Sequence, residues 1–335
     1  MPVAGAEPRR IAATSARGSL PILTEEQIAR ADAFSSGAPE MRLGSPLKGV
    51  GRLAAYLLVT LALLPVQMVA VALKAGLAAR LPRTYHRLCA RLLGFQIECY
   101  GDISPLRPTL FVGNHSSYID ITLYGAVIPG SFVAKAEVAG WPLFGLLAKL
   151  QRTVFVDRRR ASTRDQRDDM ARRLEAGDNL ILFPEGTSDD GNHTLPFRSA
   201  LLSVAERRVG DLADPAAPPR ALPVQPVSLA YTRLNGMPIG YFLRPFFAWY
   251  GDMGMPEHLW RWIGLGRTTV VVQFHPVVTI DEFGSRKALT EHCYRVVSSG
   301  VTAALAGRYL TSPDQIRTSA TRGGEGPTDE LERSR

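Results

Sequence analysis

"FVGNHSSYID", residues 111–120, sets a histidine and an aspartate five positions apart directly behind an apolar run. On a regular helix five residues turn the chain by roughly 500°, which leaves the two side chains about 140° apart. They meet only if His115 lies in the loop before a helix and Asp120 in its first turn. The residues predict that break. Thr109 to Val112 read as a buried strand, Gly113-Asn114 as turn residues, and Ser116 or Ser117 as the helix N-cap.

The same alternation recurs along the chain. Strands are predicted at "FQIECYG" (95–101), "TLFVGN" (109–114), "SFVAK" (131–135), "RTVFVD" (152–157), "NLILF" (179–183), "LPVQPVSLAY" (222–231) and "TTVVVQFHPV" (268–277). Helical patterns fall at about 117–127, 142–150, 161–176, 198–208 and 286–306. Continuous apolar strands between helices predict an α/β domain with a mixed, largely parallel sheet flanked by helices. Ligands in such domains gather at the carboxyl ends of strands. His115, Arg158 and Glu185 each sit at such an end.

The 335 residues are 46% apolar, enough for a substantial core. Three cysteines (Cys89, Cys99, Cys293) show no paired spacing, which argues against a disulfide framework or a zinc site. The formal charge is +8, and residues 51–100 hold six Lys or Arg against one acid. A basic patch beside an apolar segment points to anionic lipid rather than nucleic acid.

That segment is "LAAYLLVTLALLPVQMVAVAL", 53–73, uncharged, with Thr60 and Gln67 its clearly polar members. Its length suffices to span a bilayer. A buried core helix is the alternative. Basic residues flank both sides, so no orientation follows, and Pro65 permits a kinked or re-entrant arrangement. The segment reads as a membrane anchor, spanning or half-buried. "RTYHRLCARLL" (83–93) follows as an amphipathic, interfacial helix.

Chemistry concentrates in three stretches. His115 and Asp120 can form a base and its orienter, or a structural histidine can simply be hydrogen-bonded at a helix start. No G-x-S-x-G elbow or plausible cysteine nucleophile accompanies them, so a base here would activate a substrate hydroxyl directly. The usual zinc spacings are absent from the sequence, and no metal is expected. "TVFVDRRR" ends a strand in Arg158, Arg159 and Arg160, either a phosphate fork or a solvated charge run. "NLILFPEGTSDDG" ends another in Glu185-Gly186-Thr187, a carboxylate on a flexible turn.

"NHSSYID", "VFVDR", "FPEGTS" and "VQPVS" stand in the order and approximate spacing of the four blocks of the glycerolipid (1-acyl-sn-glycerol-3-phosphate) acyltransferase family, which this chain resembles over about residues 95–235. The likeness implies an O-acyltransferase that moves a fatty acyl group from acyl carrier protein or coenzyme A to a lysolipid hydroxyl, with no cofactor. It implies His115 as catalytic base and Asp120 as its orienter. Arg158 would meet the acceptor's phosphate; Asn114, Glu185, Gly186 and Thr187 would shape its pocket; Pro226 would help line the acyl or acceptor site. Lys135 also matches a position where the family often carries lysine.

One departure bears on the acceptor. Relatives that use lysophosphatidate often have arginine after Glu-Gly-Thr, and here the residue is Ser188. "EGTSDDG…LPF" is more similar to the lyso-ornithine lipid acyltransferase branch. Lysophosphatidate, the commoner acceptor in the family, is the first expectation and lyso-ornithine lipid the alternative; a lipid hydrolase or a non-enzymatic basic protein on the membrane is more remote. The expected organisation is a polar, disordered tail (1–45), anchor and interfacial helix (46–93), acyltransferase domain (94–310) and a second disordered tail (311–335). The expected location is a bacterial inner membrane with the domain facing the cytoplasm. Membrane lipids, the thioester and the lysolipid would be the partners, nucleic acid not. Apolar surfaces such as "WPLFGLLAKL" (141–150) and "YFLRPFFAWY" (241–250) would guide substrate or pack as core.

Overall fold

The computed structural model describes residues 44–156, 163–210, 218–308 and 317–318. The expected tails lie almost wholly outside these residues, as does Arg158. Within them, a nine-stranded sheet runs in the order β11-β1-β10-β8-β2-β5-β3-β4, with β9 paired to β8. The strands are β1 (Phe95–Tyr100), β2 (Leu110–Gly113), β3 (Ser131–Lys135), β4 (Val154–Val156), β5 (Leu180–Leu182), β8 (Val224–Leu234), β9 (Met237–Pro238), β10 (Thr268–Phe274) and β11 (Arg317–Thr318). A separate two-stranded ribbon joins β6 (Arg208–Val209) to β7 (Arg220–Ala221). The segment β4-β3-β5-β2-β8 is parallel throughout, and β10 turns antiparallel to β8. The mixed, largely parallel sheet expected from the continuous apolar strands is therefore present.

Alternation along the strands feeds two cores. Leu110 and Val112 of β2 join Leu180, Leu182, Leu174 and Leu289 on one face. Phe111 points the other way, against Leu123, Tyr124, Phe132 and Ile181. Both faces are covered, which is why the strand sequences lack polar alternation. The covering helices are α1 (Pro46–Ala72), α2 (Leu77–Leu92), α3 (Ile119–Val127), α4 (Phe144–Leu150), α5 (Thr163–Glu175), α6 (Met255–Ile263) and α7 (Arg286–Leu305).

Two local expectations need correction. The pattern at 198–208 is a 3₁₀ helix, Ser199–Glu206, and not an α-helix. Its buried Leu202 and Ala205 stand three apart, the period of the tighter helix, which serves short connectors. Neither Ser116 nor Ser117 is the N-cap of α3. That place falls to Tyr118, and the serine amides turn instead to the Asp120 carboxylate.

Helix α1 starts earlier than the apolar segment, because Ser45 caps it through Lys48 N (3.4 Å) and Pro46 opens it. It continues through Pro65 without a break. Only 17% of its most apolar 18-residue window is buried, so it is not a core helix. Its polar side chains face the domain: Thr60 Oγ1 meets Tyr85 OH at 2.8 Å, and Gln67 Nε2 donates to Ala78 O (3.0 Å) and Leu150 O (2.8 Å). Arg52 Nη1 donates to Ile263 O and Leu265 O at 2.9 and 2.7 Å. Leu58, Leu61, Val69 and Leu73 are left exposed.

Candidate active site

The carboxyl ends of β2 and β5 lie side by side, since Val112 pairs with Leu182. The loop after β2 carries Asn114 and His115; the loop after β5 carries Glu185, Gly186 and Thr187. Asn114 locks the first loop to β8: its Nδ2 donates to Leu229 O at 2.9 Å and its Oδ1 accepts from Leu229 N at 2.8 Å. Gly113 admits no side chain, because a Cβ there would stand 2.5 Å from Tyr124 OH. The backbone thus leaves the sheet along one path, and His115 is delivered to one place.

There His115 Nδ1 lies 3.1 Å from Asp120 Oδ2. The same oxygen accepts from Ser116 N (2.7 Å) and Ser117 N (2.8 Å), while Oδ1 accepts from Tyr231 OH at 2.7 Å. Asp120 is 0% exposed, and these donors replace the water it has lost. A carboxylate so surrounded accepts the Nδ1 proton and leaves Nε2 as the imidazole's acceptor. The ring stacks on Phe183 at 4.4 Å and 6°, which sets its plane.

Glu185 supports this arrangement from beneath. Its Oε1 accepts from His115 N at 2.8 Å and its Oε2 from Leu195 N at 3.0 Å. Burial pushes its pKa up to about 8, against a smaller downward pull from the two amides; Asp120 and Asp189 add to the rise. Gly186 follows at φ +77°, a conformation glycine adopts without strain, and turns the chain back under the site. Ser188 Oγ donates to Trp249 O, and Trp249 N donates to Ser116 O at 2.8 Å. The loop after Phe247 is thereby tied to both motif loops.

These groups open onto a cavity of about 500 Å³. His115, Lys135, Gly186, Thr187, Ser188 and Trp249 line it together with apolar residues of α1, α2 and α4, among them Leu63, Tyr85 and Leu147. Lys135 and Thr187 are exposed. Asn114, Glu185 and Pro226 are buried and do not line it; Pro226 sits within β8 opposite Val112. They hold the loops that do. Among the described residues, Asp189, Asp190 and His193 place ligand atoms within 4.8 Å of one another, the grouping best suited to a cation, but Asp190 already accepts from Asn192 N and Nδ2 at 2.8 and 2.9 Å.

Sequence reasoning missed Tyr231 as part of the site and reached Trp249 only within the apolar surface 241–250, expected to guide substrate or to pack as core. Tyr231 carried a faint signal, one of several polar groups in a strand otherwise rich in apolar residues. Trp249 carried none beyond its place in an apolar run. Phe183, at the end of an apolar strand pattern, carries no sequence sign of its stacking on His115.

A family model described as "Acyltransferase" matches residues 96–230. The lyso-ornithine lipid O-acyltransferase of Brucella abortus is 42% identical over 77% of this chain and 95% of its own length. That of Rhizobium meliloti is 37% identical over 75% and 85%. The 1-acyl-sn-glycerol-3-phosphate acyltransferase of Neisseria gonorrhoeae is 31% identical over 61% and 73%.

Proposed function

The chain belongs to the acyltransferase family and is an O-acyltransferase, and from that premise we propose that it acylates the free hydroxyl of lyso-ornithine lipid, with a soluble acyl thioester as donor. His115 is the base. Its Nε2 takes the hydroxyl proton as the oxygen attacks the thioester carbonyl. The tetrahedral intermediate collapses with cleavage of the carbon–sulfur bond, and His115 returns the proton to the leaving thiolate, which departs as the thiol. Asp120 orients the ring and stabilises the imidazolium formed in between. The observation that carries this mechanism is the Nδ1–Asp120 contact at the mouth of an apolar cavity. Acyl carrier protein and coenzyme A both fit as carriers of the thioester.

Ser188 carries the choice of acceptor. Where phosphate-selecting relatives often place arginine, this chain has a hydroxyl already committed to Trp249 O. A head group with an ammonium and a carboxylate suits a pocket wall lacking that cation, and the 42% and 37% identical relatives are named for this lipid. The family-wide preference expected first, lysophosphatidate, is the second reading, supported by the Neisseria relative.

Attachment follows from α1. Its polar side chains bond to the domain while Leu57, Leu58 and Leu61 face out, so one side of the helix enters the lipid while the other packs on protein. We place the enzyme on the cytoplasmic face of an inner membrane, where a soluble thioester is at hand and a lysolipid reaches His115 without crossing water. Purified full-length protein offered both lysolipids, with each thioester donor in turn, tests the assignment. Transfer to lyso-ornithine lipid with lysophosphatidate ignored is expected; the reverse preference overturns the choice of acceptor and leaves the acyltransferase assignment standing.

A further inference from the structure

A second cavity, of about 570 Å³, opens at the other edge of the sheet, beside the amino ends of β3 and β5 where Ser131 and Asn179 stand. Helix α2 presents Arg80, Arg83 and Arg87 to it at spacings of three and four, one face of the helix, and Arg107 joins them from the segment before β2. Like charges so spaced repel one another. Two of the side chains are nonetheless anchored: Arg83 Nη2 donates to Val127 O at 3.0 Å and Arg87 Nε to Ala126 O at 2.9 Å. Carbonyls position these guanidinium groups without neutralising them.

No carboxylate among the described residues pairs with any of the four. Asp178 is the acid on the cavity wall, and it is already held by Arg152 (2.9 Å) and Arg173 (2.7 Å). Arg83 Nε is buried without a hydrogen-bond partner. His86, 5% exposed, also lines the cavity, beside the Gln151 side chain. A buried guanidinium nitrogen left unsatisfied beside a concave, cationic wall marks a place built for something polar and negative. Burial pushes the Arg83 pKa down to about 10, and Arg87 and Arg107 add smaller downward contributions against an upward one from Cys99.

We propose that this cavity is an anion site that takes a phosphate group between Arg80, Arg83, Arg87 and Arg107, from the head group of an anionic membrane lipid or from a soluble phosphate. Guanidinium forks match phosphate oxygens in both geometry and charge. The concave shape, open to solvent where Arg80, Arg87 and Arg107 are exposed, fits a small anion better than a protein surface, which would need a broad and flatter patch. Leu73 and Leu77, both exposed, directly precede the arginine row, so the site borders the apolar surface of α1. The inference is independent of the acceptor chosen above and does not involve His115.

The test uses full-length protein in nonionic-detergent micelles. Its melting temperature is followed by tryptophan fluorescence during titration with inorganic phosphate, short-chain phosphatidylglycerol or short-chain phosphatidylcholine, each against sodium chloride at equal ionic strength. A ligand that binds only the folded state raises Tm in a saturable way. Phosphate or phosphatidylglycerol should do so, and phosphatidylcholine and chloride should not. Arg83→Gln and Arg107→Gln should each weaken the apparent affinity by about tenfold or more, as expected for loss of a charged hydrogen bond, while Arg295→Gln on α7 leaves it unchanged. A response to phosphatidylglycerol alone identifies a lipid head group as the ligand; a response to inorganic phosphate of equal strength identifies a soluble phosphate. Arg107 is exposed, so its variant keeps the test alive if Arg83→Gln, which loses the Val127 bond, does not fold. No rise beyond that of chloride in the wild type, or an equal rise in both variants, overturns the proposal.

Discussion

Tyr231 donates to Asp120 Oδ1 at 2.7 Å while His115 Nδ1 lies 3.1 Å from Oδ2, so one buried carboxylate joins a strand of the core to the candidate base. This has a consequence for Asp120→Asn. An asparagine can place its oxygen where Oδ2 was, still accepting from Ser116 N, Ser117 N and His115 Nδ1, and turn its amide toward the Tyr231 oxygen. The histidine tautomer survives; the charge is lost, and the Tyr231 O–H loses its acceptor. We expect kcat to fall by about 10²-fold or more with KM little changed, and His115→Ala to fall further, within the ~10²–10⁴-fold range of general-base catalysis. Steady-state kinetics checks both. Near-normal turnover in His115→Ala would remove it from the mechanism.

Glu185→Gln exchanges one acceptor for a donor facing either His115 N or Leu195 N. The unsatisfied amide costs about 1–3 kcal/mol, and the His115 backbone shifts. Turnover and Tm should fall together, with membrane attachment retained. A variant that keeps full activity would show that the glutamate is not the support described above.

Leu58→Glu combined with Leu61→Glu puts two charges on the exposed side of α1 without touching its bonds to the domain. The wild type should stay with sedimented vesicles in high salt, because apolar burial is not screened. The double variant should move to the supernatant with an unchanged far-UV spectrum. Gln67→Leu does the opposite: it leaves Ala78 O and Leu150 O without their donor and should lower Tm while attachment persists. If the double glutamate variant still sediments, the outer face of α1 is not the attachment surface.

The dependence of stability on pH has two opposing sources. Burial pushes His86, His258 and His275 down to about 4 in the folded chain. Their contribution is full above about 6.5 and is lost as pH falls through 4, since only the unfolded chain gains protons easily in that window. Glu185 works the other way: raised to about 8, it contributes fully below about 4.5 and loses that contribution as pH rises through 8. These groups together place a maximum of Tm near pH 6.5. Glu185→Gln should flatten the alkaline side of the Tm–pH curve, and His86→Leu should flatten part of the acid side. An unchanged alkaline slope in Glu185→Gln would assign it to other groups.

The meeting of His115 and Asp120 was legible in ten residues, because helical geometry forbids that pair on a regular helix and permits it across a helix start. A largely parallel sheet was likewise implied by apolar strands that could be buried on both faces, though not the order of its strands. Such features depend on local sterics and hydrophobic periodicity, which a sequence carries directly. The apolar segment at 53–73 was visible as well, but its environment was not. Length and composition are the same for a spanning helix and for one lying against a domain. Only tertiary structure turned Thr60 and Gln67 toward Tyr85 and Leu150 and left Leu58 and Leu61 outside. Tyr231, more than a hundred residues from Asp120, and the arginine cavity at the far edge of the sheet are of the same kind. Each depends on which strands become neighbours, a choice made by the packing of the whole core and not by any stretch of chain read alone.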